Sequence, residues 1–212
     1  EKLLMKDKRS WISSLFNKIF FGDLVARHQI RNDFALKLMI RKLAETVKQP
    51  TSYNRIANIV STAGKKISVD TVIDYIAYLR ESWLILPFEN LSARLSERES
   101  NKNYYFVDNG LLGLFLIDAN TSLLENIVAI SLRKQYEDNV FFYNKNIEVD
   151  FVVPDDGLAI QVAYSLADPT TEKRETDALM KFNAIMPMRQ LIIITKDEEM
   201  VIEKDGTVIN VL

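Results

Sequence analysis

The feature that most constrains the fold is a change in the spacing of apolar residues along the chain. From residue 33 to residue 83 they recur at helical intervals, and beyond residue 120 they gather in short runs separated by turn residues. The first pattern gives a helix one apolar stripe, and the second is typical of strands. The sequence therefore predicts a helical module followed by an α/β unit. The clearest helical series consists of Leu36, Met39, Ile40, Leu43 and Val47.

Three helices are predicted within residues 33–83. The first ends at Gln49-Pro50, the second follows a cap at Thr51-Ser52 and ends at Gly64, and the third begins at a Ser68 cap. An apolar strand (84–88), a polar loop (92–103) and a second strand (104–107) come next, so the whole segment has the outline of a winged helix. The residues predicted to face inward on the third helix are Val69, Val72, Ile73, Ile76, Leu79 and Trp83, and those predicted to be exposed are Asp70, Thr71, Asp74, Tyr75 and Tyr78.

The flanking segments complete the predicted organisation. Residues 10–31 form two helices broken at Gly22-Asp23, and Asp108-Asn109-Gly110 is a turn. The second domain has a helix at 122–136, strands at 140–143, 147–153 and 158–164, a helix after Asp168, a strand at 190–195 and a closing hairpin. Its αβββαβ order predicts an α/β sandwich around a mixed sheet. On the inner face of its second helix we expect Ala178, Leu179, Phe182 and Ile185.

Composition excludes several kinds of protein. The 212 residues include no cysteine and one histidine, His28, so disulfides and cysteine- or histidine-rich zinc sites are excluded. No run approaches the roughly 20 apolar residues of a membrane helix, and no secretory signal is visible, so we expect a cytoplasmic protein without membrane contact. Residues 1–118 carry 18 basic and 13 acidic side chains, whereas residues 119–212 carry 9 and 16. We therefore expect a polyanion to be drawn to the first half.

Polar residues on two adjacent predicted strands form the candidate site. In the strand Ile147-Glu148-Val149-Asp150-Phe151 the two carboxylates point away from the apolar side chains, because strand side chains alternate. If the next strand pairs with it, Gln161 lies beside Asp150, and Glu125 on the preceding helix can reach both. Two carboxylates and an amide oxygen suit Mg²⁺.

These residues carry a resemblance. The order of a helix glutamate, Glu-Val-Asp-Phe and a strand with a spaced polar residue is similar to the PD-(D/E)XK (restriction endonuclease-like) nuclease core. The chain also resembles the C-terminal domain of unknown function of bacterial and archaeal AAA-type ATPases. The matching segments are Phe21-Gly22-Asp23-Leu24-Val25-Ala26-Arg27, Asn54-Arg55-Ile56-Ala57-Asn58, Tyr104-Tyr105-Phe106-Val107-Asp108-Asn109-Gly110-Leu111, Leu124-Glu125-Asn126 and Ile160-Gln161-Val162-Ala163-Tyr164.

The resemblance implies a divided protein. An N-terminal domain that binds ATP and Mg²⁺ would precede this chain, with residues 1–31 as the tail of the ATPase region, 32–118 as the winged-helix-like module and 119–212 as the nuclease-like domain. A chain that begins at Glu1 fits such a fragment. The chain itself has no phosphate-binding loop, since Gly64-Lys65 has Ile59 in place of the first glycine and Lys66 in place of the hydroxyl residue. We expect no cofactor in this segment apart from Mg²⁺ at the nuclease-like site.

Carried over residue by residue, Glu125 matches the helix acid of the nuclease core and Asp150 the metal-binding acid. Gln161 stands at the second acid and Ala163 at the lysine, so two of the four groups are lost. The resemblance thus predicts a nuclease fold without catalysis. An active nuclease would need a lysine from elsewhere, and the candidates are Lys173, Lys181 and Lys145. Glu148 is either an edge charge or part of the site, and Gln161 can instead satisfy backbone groups at the sheet edge.

These observations and the resemblance predict three candidate functions. The leading prediction is a regulatory and interaction segment that binds DNA, a protein partner or a second copy, and the alternatives are a Mg²⁺-dependent nuclease and a winged-helix DNA-binding regulator. Asp70 and Asp74 would repel phosphate from the third helix. The residues predicted to contact a DNA backbone are Lys65, Lys66, Arg94, Arg98 and Lys102.

Overall fold

The computed structural model describes residues 2–64, 66–117 and 119–212, and side chains from residue 8 onward. The fold is mixed α/β, and the chain divides into two compact units. The first comprises Glu1–Pro87 and Ser100–Ala119, and the second comprises Phe88–Glu99 and Asn120–Leu212. Among the described residues, no helix combines the length and the apolar character needed to cross a membrane.

Helices and strands alternate along the whole chain. The helices are α1 (Lys2–Lys18), a π-helical segment (Ile19–Ala26), α2 (Asp33–Glu45), α3 (Tyr53–Ala63), α4 (Val69–Glu81), α5 (Leu95–Ser100), α6 (Asn109–Leu112), α7 (Asn120–Tyr136) and α8 (Pro169–Ile185). The strands are β1 (Thr51–Ser52), β2 (Ile85–Asn90), β3 (Asn101–Phe106), β4 (Phe141–Asn144), β5 (Glu148–Val153), β6 (Leu158–Val162), β7 (Gln190–Ile194), β8 (Met200–Lys204) and β9 (Thr207–Val211).

Side-chain caps set the starts of the helices in the first unit. The Ser52 hydroxyl accepts a hydrogen bond from the Arg55 amide at 3.2 Å, and the Ser68 hydroxyl accepts one from the Thr71 amide at 3.1 Å. Both serines satisfy an amide that has no partner in the first helical turn. The two predicted caps are therefore confirmed.

The predicted break at Gly22-Asp23 is wrong, because α1 continues directly into the π-helical segment. Phe16, Phe20 and Leu24 are all buried and lie four residues apart, so one apolar stripe runs through the junction. Burial of this stripe outweighs the low helix propensity of a single glycine, which costs about 1 kcal/mol. Helix α1 also packs against α6, whose first turn is capped by the Asp108 carboxylate rather than forming an isolated turn.

The inner face of α4 differs from the predicted one. Ile73 is 41% exposed and Trp83 75% exposed, whereas Tyr75 is buried and its hydroxyl donates to the Asn32 carbonyl at 3.4 Å. The buried residues follow an i, i+3, i+4, i+7 series in which Ile73 is one position out of phase. That series consists of Val72, Tyr75, Ile76 and Leu79.

The polar loop predicted at residues 92–103 is also wrong, since it contains α5 and the first part of β3. The Arg98 guanidinium fastens this segment by donating to the carbonyls of Leu91 (2.8 Å) and Ala93 (2.9 Å). In the first unit, β3 pairs antiparallel with the two-residue strand β1 and also neighbours β2. Such a short strand has no sequence pattern of its own, because it depends on the partner that completes its ladder.

The second unit is built on a mixed sheet with strand order β2-β4-β5-β6-β7-β9-β8, and β2 belongs to it from Phe88 onward. Pairs β2–β4, β6–β7 and β7–β9 are parallel, and the remaining pairs are antiparallel. Helix α8 packs against β5 and β6, where Leu179 and Phe182 enter the core and the Phe182 ring meets Tyr143 edge-on at 4.9 Å. The predicted inner residue Ile185 is 59% exposed instead.

Candidate functional site

A β-bulge lies in β5 at the candidate site. Between the pairs Tyr143–Val149 and Phe141–Val152, β4 advances by two residues while β5 advances by three. The additional residue falls next to Asp150, and bulges of this kind bend a strand and redirect its side chains. The predicted strict alternation is therefore wrong beyond Val149, since Val149 and Val152 share one buried cluster.

Asp150 and Gln161 lie side by side, as the sequence predicted, but they bind each other's strands. The Gln161 side-chain oxygen accepts from the Asp150 amide at 2.8 Å, and its NH₂ group donates to the Glu148 carbonyl at 3.1 Å. In return, Oδ2 of Asp150 accepts from the Val162 amide at 2.8 Å. Regular pairing of β5 with β6 reaches Phe151–Ile160. The two side chains extend the ladder beyond that point.

Two of the oxygens predicted to bind Mg²⁺ already accept hydrogen bonds from the backbone. The Gln161 oxygen is directed at an amide proton, and one oxygen of Asp150 is engaged in the same way. Mg²⁺ needs several oxygen ligands in near-octahedral geometry. Among the residues that the structure describes, no three or more acidic or imidazole side chains come together as a metal site. The geometry matches the structural role considered for Gln161, which is to satisfy backbone groups.

The position expected to hold the nuclease lysine is occupied by Ala163, which is buried. Lys173 and Lys181 act on Asp177, whose pKa is lowered first by a hydrogen bond from Lys204 and then by these nearby charges. Lys145 is exposed in the turn between β4 and β5.

One cation that acts on this site is absent from the sequence predictions. The Arg174 guanidinium on α8 donates to the buried carboxylate of Glu175, and this hydrogen bond raises the pKa of Arg174 above its usual value. The negative charges of Asp150 and Glu148 act in the same direction. Because the Arg174 side chain is 71% exposed, this attraction is weakened by water.

A sequence signal for Glu175 existed. Glu175, Leu179 and Phe182 follow i, i+4, i+7 spacing, so an acid occupies the first position of an apolar stripe. Buried acids are rare unless they are paired, which marks such a position for a specific role. The pairing of Glu175 with Arg174 is that role in this structure.

Glu125 occupies a similar position on α7. It is buried, 1% exposed, and it shares an i, i+4, i+7 series with Ala129 and Leu132. Helix α7 packs against β6, the strand that carries Gln161. The helix acid is therefore turned into the second unit rather than toward solvent.

The five residues predicted to contact DNA have different environments. Lys66 and Arg94 are exposed, and Lys65 lies outside the described residues. The Arg98 guanidinium is bound to two backbone carbonyls, and Lys102 is buried at 6% exposure.

Comparison with known protein families gives a match for the first two thirds of the chain. Residues 2–137 match a domain of unknown function, DUF8612. The chain belongs to this family. The DUF8612 match covers the helices and strands of the first unit and extends through α7.

Two relatives, one archaeal and one bacterial, are similar in sequence to most of this DUF8612 chain. It is 29% identical to an uncharacterized protein of Methanocaldococcus jannaschii over 201 residues, which are 91% of this chain and 45% of the relative. It is also 29% identical to an uncharacterized protein of Haemophilus influenzae over 180 residues, which are 82% of this chain and 44% of the relative. The chain thus spans less than half the length of these relatives. No solved structure matches it.

Proposed function

We propose that this chain is the binding, non-hydrolytic segment of a cytoplasmic AAA-type ATPase, and that its second unit is a PD-(D/E)XK-like domain without nuclease activity. One observation carries the proposal. The Gln161 amide and Oδ2 of Asp150 form hydrogen bonds with the backbone of β5 and β6, while Ala163 supplies no ammonium group. A group already bound to the backbone is poorly placed to hold a metal or stabilise charge on a phosphate.

The order of elements supports the nuclease-like assignment. Helix α7, strands β4, β5 and β6, helix α8 and strand β7 follow the αβββαβ order, with Glu125 on the first helix and Asp150 on the second strand. Acids at these two positions match the resemblance stated from the sequence. The fold of a nuclease and its activity are separable, because function resides in the site.

The order of elements in the first unit supports a winged-helix-like module. Helix α2, strand β1, helices α3 and α4 and strands β2 and β3 follow one another, with β1 beside β3. Helix α4 would be the helix that reads DNA, but Asp70 and Asp74 are exposed on it. Two carboxylates there oppose a phosphate backbone and favour a protein partner for this face.

A cleavage assay tests the absence of nuclease activity. Plasmid and single-stranded DNA are incubated with wild type and Asp150→Asn in Mg²⁺ or Mn²⁺, with Asp156→Asn in the exposed β5–β6 turn as a matched control. We expect no metal-dependent cleavage by any of the three. Cleavage that requires metal, persists in Asp156→Asn and is lost in a folded Asp150→Asn protein would show an active nuclease and overturn the proposal.

A second assay tests the assignment to an ATPase. The full-length protein is expected to hydrolyse ATP, and this chain alone is not, because its sequence has no phosphate-binding loop. Hydrolysis by the isolated chain, or none by the full-length protein, would contradict the assignment.

A further inference from the structure

A groove of about 600 Å³ opens on the first unit between α1 and α2. This volume lies within the range of small-molecule sites, about 300–1,000 Å³. All of its polar lining residues lie on these two helices, at helical spacing, so each helix presents one face to the groove. The polar residues are Arg9, Ser13 and Asn17 from α1 and Lys37 and Arg41 from α2, and Phe34 of α2 lies beside them.

The groove is positively charged. Arg9, Lys37 and Arg41 line it, and no acidic residue does. All three cations are exposed, and none of them forms an ion pair within the described part of the chain. Three cations around one concave surface attract an anion, and guanidinium groups are especially suited to phosphate.

The groove also presents an aromatic surface. Phe34 is 53% exposed at its edge, and Phe16 and Phe115 meet edge-on at 5.1 Å within its lining. Gly64 provides room for the Phe34 ring, because a Cβ atom at this glycine would stand 2.7 Å from Cε1 of Phe34. A half-exposed ring seated in this way offers a flat face for stacking.

We propose that this groove binds a nucleotide, with its base stacked on Phe34 and its phosphate held by Lys37 and Arg41. Phe34, Lys37 and Arg41 follow i, i+3, i+7 spacing, so α2 presents the ring and both cations on the same side. Ser13 and Asn17 on the opposite helix supply a hydroxyl and an amide for the polar edge of a base or sugar. The carboxylates of an acidic peptide would pair with the cations, but they would not stack on the Phe34 ring.

Two kinds of ligand combine a base with a phosphate in this way: a free mononucleotide and a single-stranded nucleic acid. Single-strand sites combine cationic grooves with aromatic residues on which bases stack, and an intact duplex does not offer its bases in this way. The inference deepens the proposed binding role and rests on it. Because the groove belongs to the first unit and the nuclease-like residues to the second, the DNA cleavage assay and the groove experiment can fail separately.

Direct binding measurements on the whole chain test the inference. The probes are AMP, a fluorescent oligothymidylate of about ten nucleotides, in the size range of single-strand sites, and two polyanions without bases, polyphosphate and polyglutamate. The variants are Phe34→Leu, which removes the ring, and Lys37→Gln with Arg41→Gln, which removes two charges. Arg55→Gln, an exposed arginine on α3 outside the groove, is the matched control.

We expect wild type and Arg55→Gln to bind AMP, the oligonucleotide or both, and the double variant to bind at least about tenfold more weakly. Phe34→Leu should weaken binding of the nucleotide probes by about fivefold or more, as loss of one stacked base predicts, without changing polyphosphate binding. AMP binding alone would assign a mononucleotide site, and oligonucleotide binding alone a single-strand site. No binding of either probe, equal binding by all variants, or base-free polyanions binding as tightly with no effect of Phe34→Leu would overturn the proposal.

Discussion

At the scale of single residues, Gln161 takes the place of a main-chain peptide. Its amide offers an NH₂ group that donates and an oxygen that accepts, the two kinds of group that a residue contributes to a β-ladder. Both are used on β5, at the Glu148 carbonyl and the Asp150 amide. Gln161 itself is buried, so water cannot replace these hydrogen bonds.

Gln161→Ala should therefore lower the free energy of unfolding by about 1–3 kcal/mol, because two partly buried backbone groups lose their partners. Gln190→Ala is the matched control, since Gln190 is exposed at the start of β7 and its substitution should cost less than about 0.5 kcal/mol. Urea denaturation of the two variants measures the difference. Equal losses would mean that the Gln161 amide does not support the sheet.

Glu198 makes stability depend on pH. Its carboxylate accepts from the Ser165 hydroxyl at 2.6 Å and from the Leu166 amide at 2.7 Å, and these bonds lower its pKa. A lowered pKa in the folded state means that the stabilisation is complete above the unfolded value, about 4.3, and is lost as the pH falls through the folded value. Glu198→Gln should be less stable than wild type at pH 7, and the difference should shrink below about pH 4.

Urea midpoints for wild type and Glu198→Gln, measured from pH 7 to pH 3, test this dependence. Glu199→Gln provides the comparison, because its exposed carboxylate is on the neighbouring residue. A difference between wild type and Glu198→Gln that is constant across this range would contradict the assigned role.

Part of the candidate site could be predicted from the sequence. Strand pairing placed Gln161 beside Asp150, because both positions follow from short apolar runs and a turn between them. The bulge in β5 could not be predicted, since it depends on how β4 and β5 meet. Arg174 was missed because its relation to Asp150 depends on how α8 packs on the sheet.

At the scale of elements, α4 shows how a single apolar residue misleads a periodic pattern. The sequence pattern places Ile73 on the inner face and Tyr75 on the exposed face. Packing reverses both assignments, since the Tyr75 ring completes the buried series and its hydroxyl reaches the Asn32 carbonyl. Amphipathic residues of this type can bury the ring and satisfy the polar end.

Tyr75→Ala should cost about 3–5 kcal/mol, the range for truncating a buried aromatic residue. Ile73→Ala, two positions away on the same helix, should cost less than about 1 kcal/mol because its side chain is 41% exposed. Chemical denaturation of both variants measures the two losses. A larger loss for Ile73→Ala than for Tyr75→Ala would favour the inner face that the sequence predicted.

Long elements with strong caps were predictable, and short ones were not. The starts of α3 and α4 follow from Ser52 and Ser68, whose chemistry is local. Strand β1 has two residues and α5 has six. Their stability comes from β3 and from the Arg98 hydrogen bonds, which the local pattern does not contain.

At the scale of the whole molecule, each compact unit has its own core. Leu36, Met39 and Ile40 are fully buried in the first unit, and Leu179 and Phe182 are fully buried in the second. Units with separate cores commonly unfold in separate steps, and two-state behaviour is then lost.

Equilibrium unfolding should therefore show two transitions. Tyr75→Ala should lower the midpoint of one transition, and Phe182→Ala should lower the midpoint of the other. Each variant should reduce the free energy of unfolding of its own unit by about 3–5 kcal/mol, the range for truncating a buried aromatic residue. Fluorescence of Trp11 and Trp83, both in the first unit, reports one transition, and far-UV circular dichroism reports both. A single transition shifted by both variants would show that the units unfold together.

The assignment of Phe88–Glu99 to the second unit means that the polypeptide passes from one unit to the other three times. A fragment that starts at Asn120 would lack strand β2, the parallel partner of β4. A fragment that stops at Ala119 would keep the twelve residues Phe88–Glu99 without the rest of the second unit, on which they pack. Neither truncation yields an intact half. For the same reason, a single genetic crossover between residues 119 and 120 would combine Phe88–Glu99 of one protein with the rest of the second unit from another.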